Sequence, residues 1–477
     1  MAEPATAAYF SRIDDATVSR HFSARLDIYF NGSDAPPISL AGGALADYSF
    51  KREMAAEDTF PLGRVSRSSL TINLNNVLQH FTFTNTASPY YGKLKQGTKV
   101  ILYTGLQMAN GTFEEFQMGV LYTSDWDVAS STVVANLVCY DRLHFLRQQK
   151  APKMPVFYNT TIAQLFERLF LSLGLLAEDF IIDSALNYTI PYGWLPGETV
   201  EDVLRELTLA GMCVVYTDRY DRIVVTVPYV RKDFGRVLSA SATGNAQIKT
   251  VSQLQASYKS YTGVNIRYNI YTRVDETLLA TLSTQHLDPY MNEFMDIYFS
   301  AAPALQVDKI IAYEMPLDIA AMNVGANTAD LFVNSAEELE DVDIQIYGKT
   351  LSSTSQLISF NVPNEGAEKK RLDIHSVLMQ TKEAAKEYGA VLNQIVTDPG
   401  AYLNASLRGD LTFDLGDVYV LDAPRSKIDQ LPVYFTRITL NYNGALSCEV
   451  DCTKYDALAV YDYAYIMPGL FVRVLRT

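Results

Sequence analysis

Apolar and polar residues alternate with a period of two through most of this chain, which restricts it to folds built mainly from sheets. The pattern is clear in "ARLDIYFNGSD", "SLTINLNNV" (69–77), "TKVILYTGL" (98–106) and "GVNIRYNIYTRV" (263–274). Turn residues punctuate it every eight to twelve positions. Asn31-Gly32 and Asn443-Gly444 read as hairpin turns, and Ala129-Ser130-Ser131 as a tight turn between "GVLYTSDWDV" and "STVVANLVCYD". Short strands at this spacing predict barrels or sandwiches.

Three windows change to the helical period. In "TIAQLFERLFLSLGLL" the residues Ile162, Leu165, Phe166, Leu169, Phe170 and Leu173 form one apolar stripe. In "ETVEDVLRELTLAG", Thr199 and Asp202 have capping-box spacing, Val200, Val203, Leu204 and Leu207 face inward, and Gly211 is expected to stop the helix. Thr381 is expected to cap a third helix, "KEAAKEYGAVLNQIV", with Ala384, Ala385, Tyr388, Val391, Leu392 and Ile395 on one side and Pro399-Gly400 beyond it. The second helix is followed at once by "CVVYTDRYDRIVVTV", two strands about a charged turn from Asp218 to Arg222.

With 477 residues the chain exceeds one core, so the patterns divide it. We expect an N-terminal extension (1–24), a first β-barrel (25–150) and, past the proline-marked joint "APKMP", a small α+β domain (151–232). A second β-barrel with a helix takes 240–275 plus 376–456, an inserted β domain takes 276–375, and 457–477 reads as a docking segment. The class is therefore mainly β with α+β insertions.

Charge and chemistry narrow the function. A net charge of −15 disfavours a general nucleic-acid binder or an electrostatic membrane binder. The longest apolar run, "ALAVYDYAYIMPGLFVRVL", is broken by Asp462, Pro468 and Arg473, so no membrane span is expected, and no signal-peptide pattern opens the chain. Cys139, Cys213, Cys448 and Cys452 are too sparse for a disulfide framework, and no histidine accompanies the last pair. The histidines (His21, His80, His144, His286, His375) lack helical zinc-pair spacing, and no nucleophile elbow or phosphate loop occurs. The densest carboxylates, Asp125 with Asp127 and the run 335–343, read as solvated loop faces. No catalytic, cofactor or metal residue is expected, and the protein is read as a structural one rather than an enzyme.

"TNTASPYYGKLKQGTKVILYTGL" places Tyr90-Tyr91-Gly92 just before a strand. It reads as a rigid turn that carries aromatics either to a subunit seam or over the end of the barrel itself. Together with "SFKREMAAEDTFPLGRVSRSSLTINLNN", "EEFQMGVLYTSDWDV" and "CYDRLHFL", this stretch resembles the N-terminal barrel of tail hub proteins from tailed bacteriophages. Gly119 to Tyr122 and Trp126 match the family's segment and tryptophan. "TIAQLFERLF" and "NYTIPYGWLPGETVEDVLRELTLAGMCVVYTDRYDRIVV" look like its small domain. "QTKEAAKEYGAVLNQI", "LRGDLTFDLGDVYVL" and "FTRITLNYNGALSCEVDC" are similar to its second barrel, so the resemblance covers about 25–455.

The resemblance implies a T-even hub-like homotrimer of two tail-tube-like barrels per chain, adapting a sixfold tail tube to a threefold spike or fibre. Implied partners are a distal tail or tube protein, a tape-measure protein and spike or fibre proteins. DNA would pass through the lumen without specific binding, and an acidic lumen would keep phosphates from adhering. Tyr90 and Tyr91 become candidate subunit-seam aromatics. Such a protein would be made in the host cytoplasm and reside at the virion tail tip or baseplate. A cell-wall lysin, where one is needed, is expected on another protein. The alternatives are the hub of a contractile injection system, bacteriocin or gene-transfer agent, a host-binding tail-tip adhesin, and a cell-wall hydrolase.

Overall fold

The structure is a computed structural model that describes residues 5–15, 17–54, 65–128, 133–227, 234–241, 245–253, 261–312, 315–361, 371–397 and 402–454. The turn Ala129-Ser130-Ser131, the pair Pro399-Gly400 and the docking segment 457–477 lie outside them. The class is mainly β, as the period-two pattern predicts.

Thirteen strands join in one sheet. Its main path runs Ile248–Gln253, Tyr402–Leu407, Leu446–Lys454, Ile428–Tyr442, Leu45–Glu53, Ser69–Asn75, Val134–Tyr140, Phe113–Asp127, Lys99–Gln107, Phe22–Ile28 and Ile38–Ala41. Phe234–Ser239 and Val418–Ala423 attach beside Ile428–Tyr442. The two barrels expected from sequence are therefore not separately closed. Ile428–Tyr442 turns part of its length to Leu45–Glu53, in register from Arg437↔Glu53 to Tyr442↔Tyr48. Backbone groups that closure would have paired within each half are paired across the seam instead. The Asn31-Gly32 hairpin is also looser than expected: pairing resumes only at Ile28↔Ile38, with Gly32 at φ +99° in the loop between.

Five helices occur among the described residues: α1 (Ala7–Asp14), α2 (Arg142–Leu146), α3 (Ile162–Ser172), α4 (Val200–Gly211) and α5 (Lys382–Thr397). None is long and apolar enough to cross a membrane. The stripes of α3 and α4 are buried as predicted, and Thr199 with Asp202 closes the expected capping box. Gly211 does not end α4 by turning left-handed. Met212 does so at φ +49°, while a Cβ on Gly211 would meet Leu186 at 3.0 Å and Cys213 Sγ at 3.1 Å, so this glycine serves close packing. Thr381 caps α5 by accepting from the Ala384 N–H at 3.3 Å.

Helix α1 carries no strong sequence signal, yet it ties the ends of the chain together. Tyr9 and Ile13, one turn apart, are buried. The Tyr9 hydroxyl donates to Asp410 Oδ1 at 2.9 Å and accepts from the Leu411 N–H at 2.9 Å, and its ring meets Phe116 at 4.8 Å. Arg236 pairs with both Asp14 and Asp410.

Two long strands, Gly263–Leu287 and Leu339–Asn361, pair from Gly263↔Asn361 to Leu287↔Leu339 and carry the insertion outward. The insertion has its own core, with Leu279, Leu287, Leu331, Val333, Ile344 and Ile346 fully or almost fully buried. It is held to the proline joint by Lys150–Asp296 and Lys153–Asp296 at 2.7 Å each, and by Lys153–Asp330. The Ala326 N–H donates to the Met154 carbonyl at 2.7 Å.

Candidate assembly surface

The opening tyrosine stretch belongs to a loop, 76–97, built from turns spaced every three residues. N–H groups of Gln79, Thr82, Asn85, Ser88 and Tyr91 donate to the carbonyls of Asn76, Gln79, Thr82, Asn85 and Ser88, at 2.8 to 3.2 Å. Side chains reinforce the chain of turns: the Phe81 N–H donates to Asn76 Oδ1 at 2.9 Å, and Asn85 Nδ2 donates to the Gln79 carbonyl at 2.9 Å. Asn76, Asn85 and Ser88 accept from nearby backbone N–H groups, which helps to satisfy a long loop without a ladder. Gly92 and Gly97, at φ +72° and +76°, make its last left-handed bends.

Tyr90 and Tyr91 separate in role. The half-buried Tyr90 ring stacks between Phe30 and Phe81, with centroids at 5.1 and 5.2 Å. Phe81 in turn stacks on Trp126 at 5.7 Å. The reading in which the tyrosines cover the end of the sheet thus describes Tyr90. Tyr91 by contrast is 53 % exposed, as are Val77, Leu78 and Phe83 of the same loop to a similar or greater degree. The Asn76 N–H donates to the Val133 carbonyl at 2.6 Å, which brings exposed Val133 to the same end. Apolar side chains on a backbone already fixed by hydrogen bonds can bind without a large ordering cost. Alternation could not show which tyrosine faces out, because a run of turns has neither period.

The second constellation is buried and was missed. Within the charged turn 218–222, Tyr220 is exposed but Arg219 is buried, at 1 % exposure. Its Nη1 donates to the Gln117 and Leu411 carbonyls at 3.2 Å each, its Nη2 to the Phe413 carbonyl at 3.0 Å, and its Nε to Asp414 Oδ2 at 3.3 Å. Arg52 holds the other Asp414 oxygen at 2.6 Å. Burial alone would raise the Asp414 carboxyl, but Arg52 and Arg219 outweigh it and hold it below its ordinary value. The small domain is thereby pinned to both halves of the sheet.

Nearby, Asp221 accepts from the Tyr122 hydroxyl at 2.6 Å and pairs with Arg142 at 2.7 Å, yet burial pushes it up to about 6. His144 stacks on Tyr140 at 4.2 Å and is pushed down to about 4 by burial, Arg147 and Arg67. The two act oppositely. His144 contributes stability that is present above its unfolded value near 6.5 and is lost as pH falls towards 4. Asp221 contributes stability that is present below its unfolded value near 4 and is lost as pH rises through 6. Replacing His144 by Phe, which keeps the stacking, is therefore expected to shift the variant's stability relative to wild type upward by about 1 kcal/mol between pH 7 and pH 5, after discounting for screening. Urea melts at both pH values measure it, and a pH-independent difference would refute it.

The sequence candidates for chemistry do not come together. All four cysteines are buried, and burial pushes their thiols upward. Cys139 lies in the strand Val134–Tyr140, whereas His144 lies in α2. Asp125 and Asp127 are exposed, as are Glu337, Glu338 and Glu340 of the acidic run. Among the described residues, donor atoms close enough to share an ion converge at one place, the exposed His286, Glu338 and Glu340.

The architecture is of the mainly β class: one long sheet, a small α+β domain packed against it, and an inserted β domain. Two solved tail proteins are similar to it over most of their length. The 43 kDa tail protein of prophage MuSo2 from Shewanella oneidensis superposes with a TM-score of 0.52 at 11% identity, over 91% of this chain and 99% of that one. A tail protein from Neisseria meningitidis MC58 does so with a TM-score of 0.52 at 9% identity, over 91% and 96%. No protein-family model and no curated protein matches in sequence. The chain shares the fold of these tail proteins.

Proposed function

We propose that the protein is a structural, non-enzymatic tail hub whose trimeric ring adapts a sixfold tail tube to a threefold spike or fibre and lets DNA pass at ejection. The observation that supports the reading is the near-complete coverage of two tail proteins by the fold of this chain. The two halves of the sheet supply two tube-like segments per chain, so three chains supply six. The turn-built loop 76–97 provides a preorganised apolar edge at which copies meet, with Tyr91 in the contact. In this reading the protein sits at the tail tip or baseplate, between a tube or distal tail protein, a tape-measure protein and a spike or fibre.

The test is the mass of the purified protein by native mass spectrometry over a range of concentrations. A species near three times the 53.2 kDa chain is expected. A monomer at every concentration, with no ring on mixing with a tube protein, would remove the ring from the proposal.

A further inference from the structure

The negative charge of the chain is not spread evenly. Residues 276–350 carry thirteen aspartates and glutamates against two lysines, a net −11 of the total −15. Both lysines, Lys309 and Lys349, lie on the five-stranded sheet of this region. The companion three-stranded sheet, Tyr290–Tyr298, Thr328–Ser335 and Asp318–Val324, contains no lysine or arginine.

Tyr290–Tyr298 is an edge of that sheet. Among the described residues it pairs with Thr328–Ser335 on one side and with no strand on the other. An unpaired edge is a template for a further strand, and natural edges are usually blunted by lysine, proline or a short length. This one is nine residues long and contains neither lysine nor proline; a bulge between Phe294 and Ile297, with Asp296 at φ +54°, bends its far end, so the template is chiefly its first part, Tyr290 to Met295. It exposes Tyr290 (82 %), Met291 (64 %), Met295 (56 %) and Tyr298 (51 %), which are adaptable apolar side chains on a strand otherwise ready to pair. Asp288, Glu293, Glu337 and Asp318, on this strand and on the segments flanking or within the sheet, are exposed as well, while Lys150 and Lys153 already pair with Asp296 at the bulged end.

We propose that this edge seats an added β-strand from a protein partner whose contacting segment is extended and cationic, with apolar side chains at alternate positions. Backbone pairing supplies affinity, the Met and Tyr side chains meet the partner's apolar positions, and the carboxylates select lysine or arginine between them. A second copy of this chain does not fit, because its own edge would bring like charge against like with no basic residue on either sheet. The inference stands apart from the ring and does not depend on it.

Short peptides alternating Lys with Val, and matched peptides alternating Glu with Val, are titrated into the full-length protein by fluorescence anisotropy, with amide exchange read in parallel. The Lys–Val peptide is expected to bind about tenfold or more tightly than the Glu–Val one and to weaken with salt. It should slow exchange chiefly across 290–298. The double variant M291K/M295K, both exposed positions, should keep its thermal melt and lose about tenfold in affinity. Four results would overturn the proposal. One is absence of Lys–Val binding, and another is binding that is insensitive to the variant or protects other segments. A third is a change of oligomeric state in the variant, which would assign the edge to self-contact. The last is displacement of the peptide by calcium or manganese with protection confined to His286, Glu338 and Glu340, which would assign the carboxylates to a cation.

Discussion

Arg219→Met is expected to lower global stability by about 3–5 kcal/mol, because it removes one member of a buried charged network and leaves the others without their partner. Three carbonyls, those of Gln117, Leu411 and Phe413, lose a donor at once, and Asp414 loses one of its two arginines and keeps Arg52. Those carbonyls come from the strand Phe113–Asp127 and from the segment before Val418–Ala423, so the loss falls on the junction of three parts of the molecule. Arg219→Lys should recover only a minority of the loss, since an ammonium cannot reproduce the planar fork that meets three acceptors and a carboxylate. Urea denaturation measures both variants, and a loss below about 1 kcal/mol for the methionine variant would show that the network is dispensable. The triple change of Arg219, Asp414 and Arg52 to apolar residues of similar volume should be milder than Arg219→Met alone, because an apolar site has no stranded charge.

The contrast between these parts shows what the chain announces in its residues. Periodicity located the strands of the first half, since each buries one face and so alternates. It also located α3, α4 and α5, whose stripes lie at three and four. The Thr199–Asp202 box was legible because capping is local chemistry. What joins the halves was not legible. The pairing of Glu53 with Arg437 spans nearly the whole chain, and a strand edge has no side-chain signature that names its partner. Helix α1 is short, and its burial depends on Asp410 and Phe116, which are remote in sequence. Arg219 was legible only as part of a charged turn, and only the tertiary fold supplies its four acceptors. In the candidate surface, the tyrosine pair and its glycine were readable as a turn. The burial of Tyr90 was not, because it follows from Phe30, Phe81 and Trp126 converging from three separate segments.

That division of the tyrosines sets up the second large effect. Tyr91→Ala combined with Leu78→Asp is expected to leave the isolated chain within about 0.5 kcal/mol of wild type, since both side chains are exposed and neither contributes to the ring stack. The same pair should weaken assembly of copies by about 100-fold or more, as an aromatic anchor is lost and a charge is placed in an apolar contact. Tyr90→Ala should behave in the opposite way. It opens the stack of Phe30, Phe81 and Trp126 and should cost the folded chain about 2–3 kcal/mol, a little below a fully buried aromatic because Tyr90 is half exposed. Its effect on assembly should then follow from the loosened loop rather than from a lost contact, so a disulfide or ligand that restores loop order would restore assembly for Tyr90→Ala and not for the Tyr91 pair. Denaturant melts and concentration-dependent mass separate the two. If the Tyr91 and Leu78 changes leave assembly intact while the chain remains folded, loop 76–97 is only a cover for the sheet end, and the contact between copies must be sought elsewhere on the sheet. If instead both variants lose stability equally, the loop folds as one unit and the outward residues are part of its packing. Only the unequal result, stability lost at Tyr90 and assembly lost at Tyr91, fits a surface in which one ring fixes the backbone so that its neighbour can be presented.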